Sequence, residues 1–238
     1  LRRETATMYN AGLDFFCFKN KLQLIFDYYI KNQHDILIHL PLSYVYGKET
    51  EASGFANLGK MRNSGFDISL NYTDNIGKLN YAVYANISTL NNEVLDLPGE
   101  DIHSNYSVTT VGYPVGSFYG YVADGIFQDM MEVEKHALQE TGTSPGDIKY
   151  KDLDNNGVIN ADDMTIIGNP LPEVTYGAGF NLSYGILDLS ASFYGMHNVD
   201  IYNELKTHIG LGTDHLSVNH NRLADVWNNH WSKDNLTH

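Results

Sequence analysis

One segment of the chain, residues 152–163, carries oxygen-bearing side chains at a spacing that can bind a metal ion. Counting from its first residue, these side chains fall at positions 1, 3, 5 and 12, which are Asp152, Asp154, Asn156 and Asp163. The carbonyl group of Val158 lies at position 7, and a glycine at position 6 permits the sharp turn that brings alternate residues to one centre. Because Ca²⁺ takes about six to eight hard oxygen ligands, the spacing predicts a calcium loop of the EF-hand type.

The segment differs from an EF-hand in its last ligand and in its flanks. An aspartate at position 12 is shorter than glutamate and is closer to the dockerin variant of the loop. No helix precedes the loop, since GDIKY alternates like a strand, and the prolines in GNPLPEV after it cannot continue a helix. We therefore interpret the loop as an insertion into another fold. A turn rich in Asn, Asp and Gly that binds nothing remains the alternative.

Composition and motifs argue against several classes of protein. The 238 residues include 15 Lys and Arg against 29 Asp and Glu, for a formal net charge of -14, whereas nucleic acid calls for basic patches. The single cysteine, Cys17, excludes an internal disulfide framework. We find no GxSxG, Walker A or HExxH motif, and we expect no enzyme. The spacing of His215, His220 and His230 fits no zinc ligand set.

Much of the remaining chain alternates apolar and polar residues, which is typical of β-strands. The connections between the predicted strands alternate between tight turns and loops of about 20 to 80 residues. Compact domains rarely combine such short and such long connections. The pattern predicts three hairpins, whose strands begin near Thr5 and Leu22, Phe66 and Leu79, and Tyr176 and Leu187.

These features favour an outer-membrane barrel over a soluble sandwich. In such a barrel the apolar strand face contacts lipid and the polar face lines a wet lumen. The alternation places four residues toward lipid, namely Leu70, Leu79, Phe180 and Leu189. It places four toward the lumen, namely Asn71, Asn80, Asn181 and Asp188.

Two stretches between the hairpins show no strand alternation. Residues Gln33 to Gly59 form a predicted irregular passage. The long connection that follows carries 15 acidic and 3 basic residues between positions 93 and 174, so it holds most of the net charge. Within it, Asp129 and Glu132 resemble a capping box that opens a helix, Met130 to Glu140. The aromatic run from Phe118 to Tyr121 either stacks on a sugar ring or packs inside the loop.

Six segments together resemble the SusC/RagA family of TonB-dependent outer-membrane transporters. Their order and spacing cover nearly the whole chain. The segments are ETATMYNAGLDF, DYYIKNQHDILIHLPL, ANLGKMRNSGFDISL, YPVGSFYGYVADGIFQ, PGDIKYKDLDNNGVINADD and IGNPLPEVTYG.

The resemblance implies an all-β fold, a segment of a large antiparallel transmembrane β-barrel of roughly 22 strands with long extracellular loops. It implies import of glycan oligosaccharides or peptides in the outer membrane of a Gram-negative cell, with a SusD-like surface lipoprotein and the TonB complex as partners. No plug or TonB-contacting segment is visible, and we expect a fragment from the C-terminal half. Barrel strands are assigned to 1–92 and 174–201, and extracellular loops to 93–173 and 202–238.

A protein of another class stays open as the alternative. A secreted β-sandwich module that binds carbohydrate or mediates adhesion would also alternate apolar and polar residues, and it would use the same calcium loop. A requirement for detergent separates the two, because only the barrel segment exposes an apolar band.

Overall fold

The computed structural model describes residues 3–41, 53–97, 99–207, 224, 228–232 and 235. The chain forms two compact units. The first contains Leu1–Phe118 and Gly168–Asp200, and the second contains Tyr119–Ile167 and Ile201–His238. No helix in these described stretches has the length and apolar character that crossing a membrane requires.

Strands dominate the described chain, and the few helices are short. The strands are β1 (Thr5–Cys17), β2 (Leu22–Pro41), β3 (Ser53–Ile76), β4 (Leu79–Thr89), β5 (Asn91–Asp96), β6 (Ile102–His103), β7 (Ser107–Thr109), β8 (Ser117–Tyr121), β9 (Ala123–Ile126), β10 (Ile148–Tyr150), β11 (Met164–Gly168), β12 (Val174–Tyr184) and β13 (Leu187–His197). The helices are α1 (Met130–Lys135) and α2 (Glu204–Lys206), and Ala161–Asp163 forms a single 3-10 turn.

A seven-stranded antiparallel sheet makes up most of the first unit. Its strands follow the order β1-β2-β3-β4-β12-β13, and β5 pairs with β3. Neighbours in this order are antiparallel throughout. The three predicted hairpins are therefore confirmed as β1–β2, β3–β4 and β12–β13.

The strand register collects the apolar residues on one face of the sheet. Leu70 lies between Leu24 and Ala85, and Ala85 in turn lies opposite Ala178. Because side chains alternate across a strand, the four residues predicted to contact lipid share this face, and the four predicted to face the lumen share the other. The first set is Leu70, Leu79, Phe180 and Leu189, and the second is Asn71, Asn80, Asn181 and Asp188.

The apolar face has no cover within the described chain. Leu13 is 65% exposed, Leu189 is 58% exposed and Phe193 is 69% exposed. Cys17 lies on this face opposite Leu22 and is half-buried. Large exposed apolar patches mark an interaction surface, so this face requires a partner as apolar as itself.

The prediction of an irregular passage from Gln33 to Gly59 is wrong at both ends. Strand β2 continues to Pro41 and β3 already begins at Ser53, while residues 42–52 lie outside the described chain. The pairing shifts register between Gln33 and Ile36, where Asp35 has a φ of 55°. This bulge interrupts the alternation in sequence but leaves the strand pair intact.

The helix predicted after Asp129 begins where expected. The Asp129 carboxylate accepts a hydrogen bond from the backbone nitrogen of Glu132 at 2.8 Å, as an N-cap should. The Glu132 carboxylate in turn accepts from the backbone nitrogen of Gln128 at 3.0 Å. The reciprocal bond therefore reaches one residue beyond the N-cap.

The same helix ends earlier than predicted, at Lys135 instead of Glu140. The next residue, His136, has an extended backbone. Two residues further, Leu138 forms an isolated parallel bridge with Val158. The pairing between Leu138 and the acidic loop thus takes backbone groups that a longer helix would use.

Candidate metal centre

The predicted calcium loop lies in the second unit, between β10 and β11. Three of its carboxylates converge, because one oxygen each of Asp152, Asp154 and Asp163 lies within 4.8 Å of the others. Asp163 is fully buried, Asp152 is half-buried and Asp154 is exposed. The structure therefore brings together three residues that the sequence places at positions 1, 3 and 12.

The backbone turns through two residues in the left-handed region. Asn155 has a φ of 60° and Gly157 a φ of 85°, and glycine adopts this region without strain. The turn directs backbone N–H groups at Asp152, whose carboxylate accepts from Gly157 at 2.9 Å and from Asn156 at 3.2 Å. Position 6 thus requires glycine for the reason that the sequence suggests.

The side chain of Asn156 lies beside the carboxylate cluster. Its amide nitrogen donates to the Asp154 carboxylate at 2.8 Å, and its oxygen accepts from the backbone nitrogen of Val158 at 2.8 Å. The Asp154 carboxylate also accepts from the backbone nitrogen of Asn156 at 3.0 Å. In this arrangement the amide nitrogen of position 5 faces the acids, and its oxygen is bonded to the backbone of Val158.

Asp163 closes the loop through its backbone contacts. One carboxylate oxygen accepts from Leu153 at 2.7 Å and the other from Asn160 at 2.9 Å. The hydrogen bond from Asn160, with smaller contributions from Leu153 and Asp154, holds the pKa of Asp163 below its ordinary value, although burial acts in the opposite direction. The buried carboxylate is therefore ionised at neutral pH.

A contact outside the loop holds positions 6 to 8 in place. Leu138 donates through its backbone nitrogen to the carbonyl of Gly157 at 2.9 Å and accepts from Ile159 at 2.8 Å. Ile159 is buried. No described residue donates to the carbonyl oxygen of Val158, which leaves that oxygen available as a ligand.

This donor set fits a hard cation. It offers three carboxylates and the carbonyl oxygen of Val158, which are the oxygen ligands that Ca²⁺ prefers, and the amide oxygen of Asn156 would join them on rotation of its side chain. The three negative charges repel one another, and the loop's N–H groups offset only part of that repulsion. A divalent cation would remove the rest.

The sequence did not predict how the rest of this unit packs. Tyr121, at the end of the aromatic run, lies against Tyr150 with ring centroids 5.2 Å apart. Trp231 donates through its indole nitrogen to Gln128 at 3.0 Å. His215 and His220 lie outside the described residues. No short-range pattern signals these contacts, because they join residues far apart in sequence.

The seven-stranded sheet has one exposed apolar face and one polar face, as the wall of an outer-membrane β-barrel does. The second unit, Tyr119–Ile167 and Ile201–His238, is called the loop unit below. The family described as TonB dependent receptor-like, beta-barrel matches residues 1–207. This chain belongs to that family. Membership places it in the outer membrane of a Gram-negative cell and does not support the alternative of a secreted sandwich.

Two curated relatives share this likeness. TonB-dependent receptor P3 of Formosa agariphila is 30% identical over 247 residues, which cover 99% of this chain and 24% of the relative. TonB-dependent receptor SusC of Bacteroides thetaiotaomicron is 26% identical over 239 residues, covering 92% of this chain and 22% of the relative. The chain therefore spans about a quarter of the length of the relatives that it matches.

Solved structures show the same fold. The RagAB peptide importer in its closed-closed state matches with a TM-score of 0.69 and 25% identity, over 87% of this chain and 22% of the other. A structure of the RagAB peptide transporter matches with a TM-score of 0.76 and 24% identity, over 97% of this chain and 24% of the other. The resemblance to SusC and RagA proteins is confirmed, as is the prediction of a segment of a larger antiparallel barrel.

Proposed function

We propose that the chain is part of a TonB-dependent outer-membrane importer that carries glycan oligosaccharides or peptides into the cell. The observation that carries this proposal is the division of the seven-stranded sheet into an apolar face and a polar face, in a chain that belongs to the TonB-dependent receptor family. A lipid bilayer covers the first face. The second lines the path of the substrate.

The polar face has the chemistry that a path for hydrated solutes requires. It carries carboxylates such as Asp27 and Asp67, which lie opposite each other on β2 and β3. Asparagines such as Asn71 and Asn181 add amide groups that both donate and accept. Sugars and peptides are rich in groups that hydrogen-bond to such side chains. The family is one of receptors, and we propose no enzymatic role.

The proposed partners follow from the same resemblance. A SusD-like surface lipoprotein covers the extracellular mouth, and the TonB complex supplies energy through other parts of the full-length receptor. The likeness to the RagAB peptide importer supports the peptide class. The glycan class rests on the resemblance to the SusC/RagA family.

The loop unit adds a second proposal, a structural calcium site. Asp152, Asp154, Asn156 and Asp163 supply side-chain oxygens, and Val158 supplies its carbonyl. Among the described residues of this unit only Phe127 and Ile159 are buried apolar side chains, so a hydrophobic core contributes little to its rigidity. Ca²⁺ would link the segments through oxygen ligands, and metal binding of this kind stabilises the folded loop directly.

Uptake measurements in the cell test the proposed function. Deleting the gene for the full-length receptor should abolish uptake of one class of labelled solute, glycan or peptide, and a plasmid copy should restore it. Collapse of the proton gradient should abolish uptake in the same way, because TonB-dependent import requires energy. Unchanged uptake of every glycan and peptide offered would contradict the proposal.

A further inference from the structure

An asparagine–glycine pair in the loop carries a chemistry that the proposed calcium site does not use. Asn156 and Gly157 are both exposed. A backbone nitrogen can attack the side-chain carbonyl carbon of the asparagine before it, and glycine hinders this attack least because it has no Cβ. We propose that Asn156 is a latent deamidation site, which the hydrogen bonds of the closed loop keep intact. The proposal depends neither on transport nor on bound calcium.

The reaction has two balanced steps. In the first, the nitrogen of Gly157 bonds to Cγ of Asn156, the bond from Cγ to Nδ2 breaks, and ammonia leaves with the proton of the attacking nitrogen. In the second, water opens the cyclic imide. Opening between the nitrogen and Cγ gives aspartate, and opening between the nitrogen and the α-carbonyl carbon gives isoaspartate. Water is the only co-reactant, and no electron acceptor is needed.

The closed loop restrains the attacking nitrogen. The N–H of Gly157 donates to a carboxylate oxygen of Asp152 at 2.9 Å. A hydrogen bond to an anion stabilises the protonated nitrogen. The attack requires that this bond break, so the nitrogen reacts only when the loop opens.

The closed loop restrains the group under attack as well. The Asn156 side chain donates to Asp154 at 2.8 Å and accepts from the backbone nitrogen of Val158 at 2.8 Å. These two bonds fix the rotation of the amide. Because the amide is held in one orientation, the closed loop restrains both reacting partners.

Deamidation would change the loop permanently. It replaces the amide that donates to Asp154 with a carboxylate, beside three acids whose oxygens already lie within 4.8 Å of one another. The added charge repels them and favours the open loop. Isoaspartate also routes the main chain through Cγ, which inserts a methylene group between positions 5 and 6 and alters the ligand spacing.

Peptide mapping by mass spectrometry tests the proposal on the full-length receptor in detergent. A chelator is present throughout, so that bound metal affects no sample. The native receptor is compared with the same chain in denaturant, and Asp152→Ala is compared with Asp162→Ala. Asp162 is an exposed neighbour whose side chain lies outside the converging carboxylates, which makes it a matched control. Chromatography separates the aspartate and isoaspartate products.

We expect Asn156 to deamidate at least about tenfold more slowly in the native receptor than in denaturant, as the loss of a charge-assisted hydrogen bond implies. Asp152→Ala should remove most of this protection, and Asp162→Ala should leave it unchanged. Equal rates in the native and denatured chains would overturn the proposal without need of any variant. A rate in Asp152→Ala as slow as in the native receptor would overturn it too.

Discussion

Asp152 contributes to the loop in two ways, as a predicted ligand and as the acceptor for two backbone N–H groups. Asp152→Ala should therefore weaken calcium binding by about tenfold or more, from a native dissociation constant of about 10⁻⁵ to 10⁻³ M. Titration calorimetry on the full-length receptor measures this, with Asp162→Ala as the control. Absence of calcium binding by the native receptor would contradict the metal proposal, as would unchanged affinity in Asp152→Ala.

Asp163 makes the loop sensitive to acid. Its folded pKa is lowered, so its hydrogen bonds stabilise the closed loop fully above the unfolded pKa of about 3.9. This contribution is lost as pH falls through the lower folded value. In the presence of a chelator, amides of residues 152–163 should keep their protection from hydrogen exchange at about pH 5. They should lose it progressively as the pH falls below the unfolded value of about 3.9, after correction for intrinsic rates.

Asp163→Asn is the matched variant for this experiment. It has no carboxylate to protonate, so its loop should be less protected at neutral pH and should show no further loss in acid. A native loop that stays equally protected across the acid range would contradict the role assigned to Asp163.

Among the elements, the parallel bridge at Leu138 is the contact that joins the loop to the chain after α1. Leu138→Pro removes the N–H that donates to Gly157. We expect it to destabilise the closed loop by about 1–3 kcal/mol, the cost of an unpaired backbone group. Leu138→Ala keeps both backbone bonds and removes only a side chain that is 64% exposed, so its effect should be small. Hydrogen exchange of the amides of residues 152–163 compares the two variants. Equal loss of protection in both would contradict the role assigned to the bridge.

The two faces of β3 should respond differently to charge. Leu70→Arg places a cation on the lipid face and should cost about 2–4 kcal/mol near the midplane, whereas Asn71→Arg faces water and should cost much less. The free energy of unfolding of the full-length receptor in vesicles, measured with urea, compares the two. Equal costs would contradict the assignment of the faces.

The strand faces were predictable because alternation is local and each hairpin repeats it. The length of β2 and β3 was not. The bulge at Asp35 interrupts the alternation, and the apolar residues Ile36, Leu37 and Ile38 that follow it do not alternate with polar ones. The sequence there resembles a loop, although the hydrogen bonds between strands continue.

The candidate metal centre was likewise predictable only in part. Spacing along the chain predicts that Asp152, Asp154 and Asp163 converge, because a tight loop brings alternate residues together. It does not predict that Asp163 is fully buried or that Leu138 pairs with the loop. Both depend on segments that meet only in the folded unit, and the same pairing ends α1 early.

At the scale of the whole molecule, the two units are stabilised by different interactions. The sheet exposes large apolar side chains and buries few, so lipid takes the place of a core. The loop unit is acidic and buries little apolar surface among its described residues, so hydrogen bonds and, in our proposal, calcium hold it. The importer that we propose would combine a barrel wall that is stable in lipid with a structured loop unit.

The most direct test of this account measures which side of the sheet contacts lipid. A lipid-quenchable probe is placed in the full-length receptor in vesicles, at one position at a time. Probes at Leu70, Leu79, Phe180 and Leu189 should be quenched strongly by brominated lipid, and probes at Asn71, Asn80, Asn181 and Asp188 weakly. Equal quenching of the two sets would contradict the claim that this sheet is part of a transmembrane barrel wall.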